Sequence, residues 1–175
     1  ERTHAFATKS QIWLLDPRPD LETIVHMVEQ GFELSEYSST PVMLELRIRA
    51  CHVHGAFPAS DNKVGQFNRN RVIKEPNHDF ARITLPPSTY AQEKHKVEVR
   101  MPEAINFIRE RRLNDYFAGD INDVGLICQG GLYNATLRAL VQAGLADAAG
   151  NSRIPILALN VTYPLVPGEI SDFCA

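Results

Sequence analysis

Apolar positions along the chain change period several times, and each change marks an element. Ile12, Trp13, Leu14 and Leu15 form a short unbroken apolar run that stops at Asp16-Pro17 and Pro19. A run of that length closed by turn residues predicts a buried strand. Asp20 is placed to cap a helix whose apolar residues fall at Leu21, Ile24, Val25, Val28 and Phe32, and spacings of three and four predict one core-facing side. From Val42 the period becomes two. Val42, Leu44, Leu46 and Ile48 alternate with Met43, Glu45, Arg47 and Arg49, which predicts a strand over 42–48 with one apolar face. Residues 11–50 therefore read as β–α–β, with a right-handed crossover if the strands are parallel.

Periodicity then lapses from Ala50 to about Leu85, where Gly, Pro, Ser, Asp and Asn dominate. A connection this long without structure is uncommon inside a compact domain, so it reads as the crossing between two α/β units, ordered by a partner. It is also the most basic stretch, with Lys63, Arg69, Arg71, Lys74 and Arg82. Pro86-Pro87-Ser88 opens a polar helix that Pro102 is expected to interrupt or restart. Ala104, Ile105, Ile108 and Leu113 supply a narrow apolar stripe behind it. A second β–α–β follows Gly119-Asp120: a strand over 124–128, the turn Gln129-Gly130-Gly131, a helix over 132–145 and a strand over 156–161. The last of these is almost continuously apolar, as in a parallel sheet covered on both faces. Pro167 suits the first turn of a further helix.

Composition narrows the class. A net charge of -3 and a pI near 6.1 argue against a nucleic-acid binder or a protein of the membrane surface. No apolar run approaches the ~20 residues that span a bilayer. The opening ERTHAF has neither an initiator Met nor a signal-like apolar stretch, and reads as the middle of a longer chain. Cys51, Cys128 and Cys174 are widely spaced, so no local zinc or iron–sulfur motif can be built from them. Cys128 reads as a small buried hydrophobe and the compartment as a reducing cytoplasm.

Two places could carry chemistry. Gln129-Gly130-Gly131 lies between a strand and a helix, where outward-pointing N–H groups can hold an anion. It matches neither a dinucleotide nor a P-loop motif, and close backbone packing at the turn is the heavier reading. Arg47, Arg49, His52 and His54 cluster at the end of the second strand. Arg49 could grip a carboxylate or phosphate in bidentate fashion, and His52 stands near it. Two histidines are too few for a metal site, and a solvated charge cluster is the heavier reading here as well. No GxSxG, HExxH or supported carboxylate pair occurs, so no catalytic residue and no metal site is assigned.

The motifs GLICQGGLYNATLRAL (125–140), GNSRIP (150–155) and LALNVTYPLVPGEISDFC (157–174) resemble the transketolase C-terminal-like domain of 2-oxoacid:ferredoxin oxidoreductases, in particular the indolepyruvate:ferredoxin oxidoreductase alpha subunit. FELSEYSSTPVMLELRIRACHVHG (32–55) looks like the end of that family's pyrimidine-binding domain, with Arg49, His52 and Gly55 matching its Arg, His and Gly. Leu46, Arg47 and Ile48 stand where the family has part of a threonine-rich stretch.

The resemblance implies an α/β fold: a three-layer α/β/α unit with a mostly parallel sheet, transketolase C-terminal-like, preceded by a partial α/β unit. Residues 1–55 would close a pyrimidine-binding-type domain, 56–119 would be linker and helical connection, and 120–175 a truncated transketolase C-terminal-like domain. It further implies an enzyme that oxidatively decarboxylates aryl 2-oxoacids to acyl-CoA, using thiamine diphosphate, Mg²⁺ and iron–sulfur clusters. Its partners would be the remaining domains, a beta-type subunit, ferredoxin and CoA, in an oligomer. The family's catalytic residues would lie outside this segment, which would bind no cofactor itself and act structurally between domains. The alternatives are a domain of another thiamine-dependent transketolase-like enzyme, or an anion- or nucleotide-binding α/β module.

Overall fold

The computed structural model describes residues 2–61, 79, 81 and 83–175. The basic stretch from Lys63 to Lys74, with Arg82, lies outside the described residues. Helix α1 (Thr3–Ser10) leads into strand β1 (Trp13–Leu15), whose three side chains are all buried. Asp20 then caps helix α2 (Leu21–Ser38), its carboxylate accepting from the Thr23 amide at 2.9 Å. Strand β2 (Val42–Leu44) returns parallel to β1, completing the first expected β–α–β. After a 3₁₀ turn at Ala50–His52, helix α3 (Ser88–His95) runs through a π turn (Lys96–Arg100) into helix α4 (Met101–Arg111). Strand β3 (Asp115–Phe117) and strand β4 (Leu126–Gln129) precede a 3₁₀ turn at Gly130–Leu132 and helix α5 (Tyr133–Gln142). Strands β5 (Ile156–Leu159) and β6 (Val161–Tyr163) and helix α6 (Pro167–Cys174) close the order.

The fold is mixed α/β. β4 and β5 pair in parallel, so the second expected β–α–β also forms. Each three-stranded sheet then adds one antiparallel neighbour: the orders are β2–β1–β6 and β3–β5–β4. The run expected as one strand over 156–161 is therefore two strands in two different sheets, broken at Asn160. The break is held by the Asn160 side chain, which is almost fully buried. Its amide nitrogen donates to Leu113 O at 2.9 Å and to Asp115 Oδ2 at 2.8 Å, while its oxygen accepts from the Arg18 amide at 2.9 Å. Its backbone carbonyl accepts from the Asp16 amide at 2.8 Å. A polar group can stay in such a place only because every bond it lost to water is replaced.

Two further expectations are corrected. The side of α2 that faces the core carries Met27, Gln30, Gly31, Leu34 and Ser38, whereas Val25, Val28 and Phe32 are exposed, Phe32 at 72%. The reason is the partner surface. Trp13 donates from Nε1 to Ser38 Oγ at 2.7 Å, and Ser38 passes the bond on to Leu34 O, which turns that side of the helix inward. The alternating strand over 42–48 stops at Leu44; beyond it the chain bends to bring Arg47 against Asp16, leaving Ile48 78% exposed. At Pro102 the helix restarts, one of the two outcomes expected there, without a break in the rod. The proline sits in the first turn of α4, where no N–H is needed, and the π turn before it takes up the change of hydrogen-bond register.

Two cores result. Trp13, Leu15, Met27, Leu34, Phe107, Ile108 and Val161 join the first sheet to α2 and α4. Tyr133, Leu140, Ile154, Ile156 and Ala158 join the second sheet to α5. Asn160→Ala removes three side-chain hydrogen bonds at the point between these cores. Urea unfolding is expected to show a loss of about 3 kcal/mol, since each buried group left unpaired costs about 1–3 kcal/mol. A loss below about 1 kcal/mol would mean that water replaces those bonds.

Candidate functional site

The end of β1, the bend after β2 and the turn after β4 meet at one polar centre. Asp16, with a side chain only 2% exposed, receives Arg47 from both Nε (3.3 and 3.2 Å) and Nη2 (2.7 Å). The same Nη2 donates to Gln129 Oε1 at 2.5 Å. The Asp16 carbonyl accepts from the Gly131 amide at 3.2 Å. Glycine is required here by proximity. A Cβ on Gly130 would run into the Asp16 carbonyl and the Asn160 amide, and one on Gly131 into the Asp16 carboxylate and the Arg47 side chain. Thus Gln129-Gly130-Gly131, singled out by the sequence as an anion turn or a packing turn, has its side-chain amide and its Gly131 N–H engaged inside the protein.

Arg18 forms a second tie beside the first. Its Nε donates to Asp115 Oδ2 at 2.6 Å, and the guanidinium lies 5.3 Å from the Phe117 ring centroid and 5.2 Å from that of Tyr133. Those rings stack on each other at 4.7 Å. A cation placed beside two aromatic rings and a carboxylate keeps its charge compensated while partly withdrawn from water. By contrast the well-exposed pair Arg153–Asp120 is worth only about 0–1 kcal/mol.

Among the sequence-selected residues, Arg47 is the one that reaches the Gly-Gly turn directly. Arg49 is exposed just ahead of the 3₁₀ turn and borders a cleft of about 700 Å³ together with Gly131 and Arg138. His52 and His54 are exposed and do not line that cleft. Asp16, Arg18, Asp115 and Asn160 were not selected from the sequence. The one available signal was Asn160, a polar residue in the middle of an otherwise apolar buried run. Among the described residues no three His, Cys, Asp or Glu side chains converge as metal ligands. No described helix is long and apolar enough to cross a membrane.

A larger cleft of about 740 Å³ lies between the second sheet and α6, bordered by Tyr116, Leu157, Glu169 and Phe173. Burial holds the Glu169 carboxyl above the usual carboxylate range, while a 2.7 Å hydrogen bond from Asn114 and the charge of Arg109 pull the other way. Burial likewise raises the Cys128 thiol, which suits an inert packing role.

The geometry defines an α/β scaffold whose polar centre ties three loops together. Its comparisons with known proteins point one way. Two curated relatives are both described as indolepyruvate oxidoreductase subunit IorA. The one from Methanothermobacter thermautotrophicus (strain Delta H) is 27% identical over 166 residues, covering 91% of this chain and 24% of its own length. The one from Methanothermobacter marburgensis (strain Marburg) is 27% identical over 175 residues, covering 96% of this chain and 25% of its own length. The chain thus spans about a quarter of the length of these relatives. The similarity marked by the motifs above extends over nearly the whole chain, and the relatives are oxidoreductase subunits by name. No family model matches the chain, and no solved structure matches it.

Two outcomes are expected from this geometry. Arg47→Met strands the buried Asp16 carboxylate. Breaking a fully buried pair costs about 3–5 kcal/mol, and with Arg47 28% exposed the loss should be nearer 2 kcal/mol. Asp16→Asn added to Arg47→Met should recover part of it in a double-mutant cycle of unfolding free energies. For Glu169 the sign follows from a carboxyl pKa that is higher folded than unfolded. Its contribution is present below the unfolded pKa and fades as pH rises through the folded one. Glu169→Gln should therefore flatten the decline in Tm from about pH 4 toward neutrality, as followed by circular dichroism.

Proposed function

We propose that this chain is the part of an indolepyruvate:ferredoxin oxidoreductase alpha-type subunit that joins a pyrimidine-binding-type unit to a transketolase C-terminal-like unit. In this reading the enzyme converts an aryl 2-oxoacid and CoA to acyl-CoA and CO₂, passing two electrons to ferredoxin. Thiamine diphosphate would supply the carbanion chemistry and iron–sulfur clusters the electron path. In the same reading this chain's part is positional. Remaining domains, a beta-type subunit, ferredoxin and CoA would be the partners.

The single observation behind this reading is the likeness to two IorA subunits along almost the entire chain. The positional role rests on Asp16, Arg47, Gln129 and Asn160, which lock the two β–α–β units at one junction. A junction of this kind sets where flanking domains stand, and a misplacement of about 1 Å near a reaction centre can cost about a hundredfold in rate.

The test is made on the full-length subunit with its partner subunit. Indolepyruvate-dependent reduction of ferredoxin is expected in the parent. Arg47→Met should lower kcat together with bound thiamine diphosphate and subunit assembly, leaving the shape of the pH profile unchanged. Failure of the assembled parent to reduce ferredoxin with indolepyruvate or any other aryl 2-oxoacid would refute the assignment. An unchanged kcat in a variant shown to have lost the Arg47 tie would refute the positional role.

A further inference from the structure

The cleft beside the Gly-Gly turn has the makings of a ligand site that the polar junction itself does not account for. Its volume of about 700 Å³ falls within the range of small-molecule sites, about 300–1,000 Å³. On one wall Asn134, Ala135 and Arg138 follow one another at the spacing of a single side of α5. On the other, the bend after β2 presents Leu46, Ile48 and Arg49. The floor is stiff, because Gly131 is clamped against Asp16 and Arg47.

Among the described residues three guanidinium groups border this space. Arg47 is committed to Asp16 and Gln129. Arg49 and Arg138 are exposed and meet no carboxylate among the described residues. Two guanidiniums facing one space match the double charge and multiple acceptor oxygens of a phosphate better than the single charge of a carboxylate. The exposed side chains of Leu46 and Ile48 offer an apolar wall to the rest of such a ligand. Glu45, the one carboxylate lining the cleft among the described residues, can accept from a ligand N–H or O–H.

We propose that the cleft between α5 and the bend after β2 binds a nucleotide-like organic phosphate, with Arg49 and Arg138 on the phosphate and Leu46 and Ile48 against the body. The site draws only on this chain's own geometry and stands or falls separately from the oxidoreductase reading.

ADP, pyrophosphate and indole-3-acetate serve as probes in calorimetric titrations of the full-length protein at fixed ionic strength. Saturable ADP binding is expected, weakened by about tenfold or more in Arg49→Ala/Arg138→Ala and less in the double Lys variant, which keeps charge but not the bidentate fork. Pyrophosphate should compete with ADP and bind more weakly, because it cannot use the apolar wall. Both arginines are exposed, so the Tm of the double variant should stay near that of the parent; Arg138→Gln alone provides the same reading should it not. Absence of saturable binding of ADP and pyrophosphate up to about 10 mM, a ceiling weaker than ordinary specific recognition, overturns the proposal. Unchanged affinity in the arginine variants overturns it too, as does indole-3-acetate binding as tightly as ADP at the same place.

Discussion

Everything in this molecule turns on one strand being divided at Asn160. An apolar run from Ile156 to Val161 would by preference lie in a single sheet, because its backbone groups could all be paired there. Here the amide of Asn160 takes over the hydrogen bonding at the break, so β5 stays in one sheet while β6 crosses to the other. The two sheets are thereby placed relative to each other by a covalent link of one residue. A hydrocarbon side chain at this position would leave Leu113 O, the Arg18 amide and one acceptor site of Asp115 short of a partner.

Around that break the polar side chains act as ties between segments distant in sequence. Arg47 reaches both Asp16 and Gln129, and Arg18 reaches Asp115 beside two stacked rings. These are the interactions that matter electrostatically, because they are partly withdrawn from water and geometrically fixed; the exposed pairs elsewhere contribute little. The close approach of Gly130 and Gly131 to the Asp16 loop is the steric counterpart of the same junction. In α/β proteins such a turn is often a place for anions. Here the protein's own carboxylate and carbonyl fill it, and the space left for a ligand lies to one side, between Arg49 and Arg138.

A rigid junction suits a segment that spans about a quarter of the length of its relatives. Exposed Val25, Val28 and Phe32 on α2 and the exposed Tyr116 on the second sheet show that the two sheets do not bury all their apolar side chains on each other. In the proposed role as a positioning element of a larger oxidoreductase subunit, the junction would fix the angle between two α/β units.

The two β–α–β units were legible in the sequence because local pattern and turn residues suffice to specify them: the Asp20 cap, the Trp13–Leu15 run, the Gly-Gly turn and the apolar strand after it. Arg47 and Arg49 were visible as a charged edge, and Gly130 and Gly131 as a turn, but no local pattern joined them. The inward side of α2 departs from its apolar spacing because Trp13 and Ser38, on one strand and one helix, decide it by a hydrogen bond rather than by hydropathy. β3 and the separate identity of β6 do not show in the local pattern, because each is defined only by the antiparallel neighbour that supplies its partners. The sequence by itself determined which segments are strands and helices where burial repeats along the chain. Only the tertiary structure decided which strands share a sheet and which polar groups meet, because burying Asn160 or Asp16 is stable only once partners far away in sequence arrive to satisfy them.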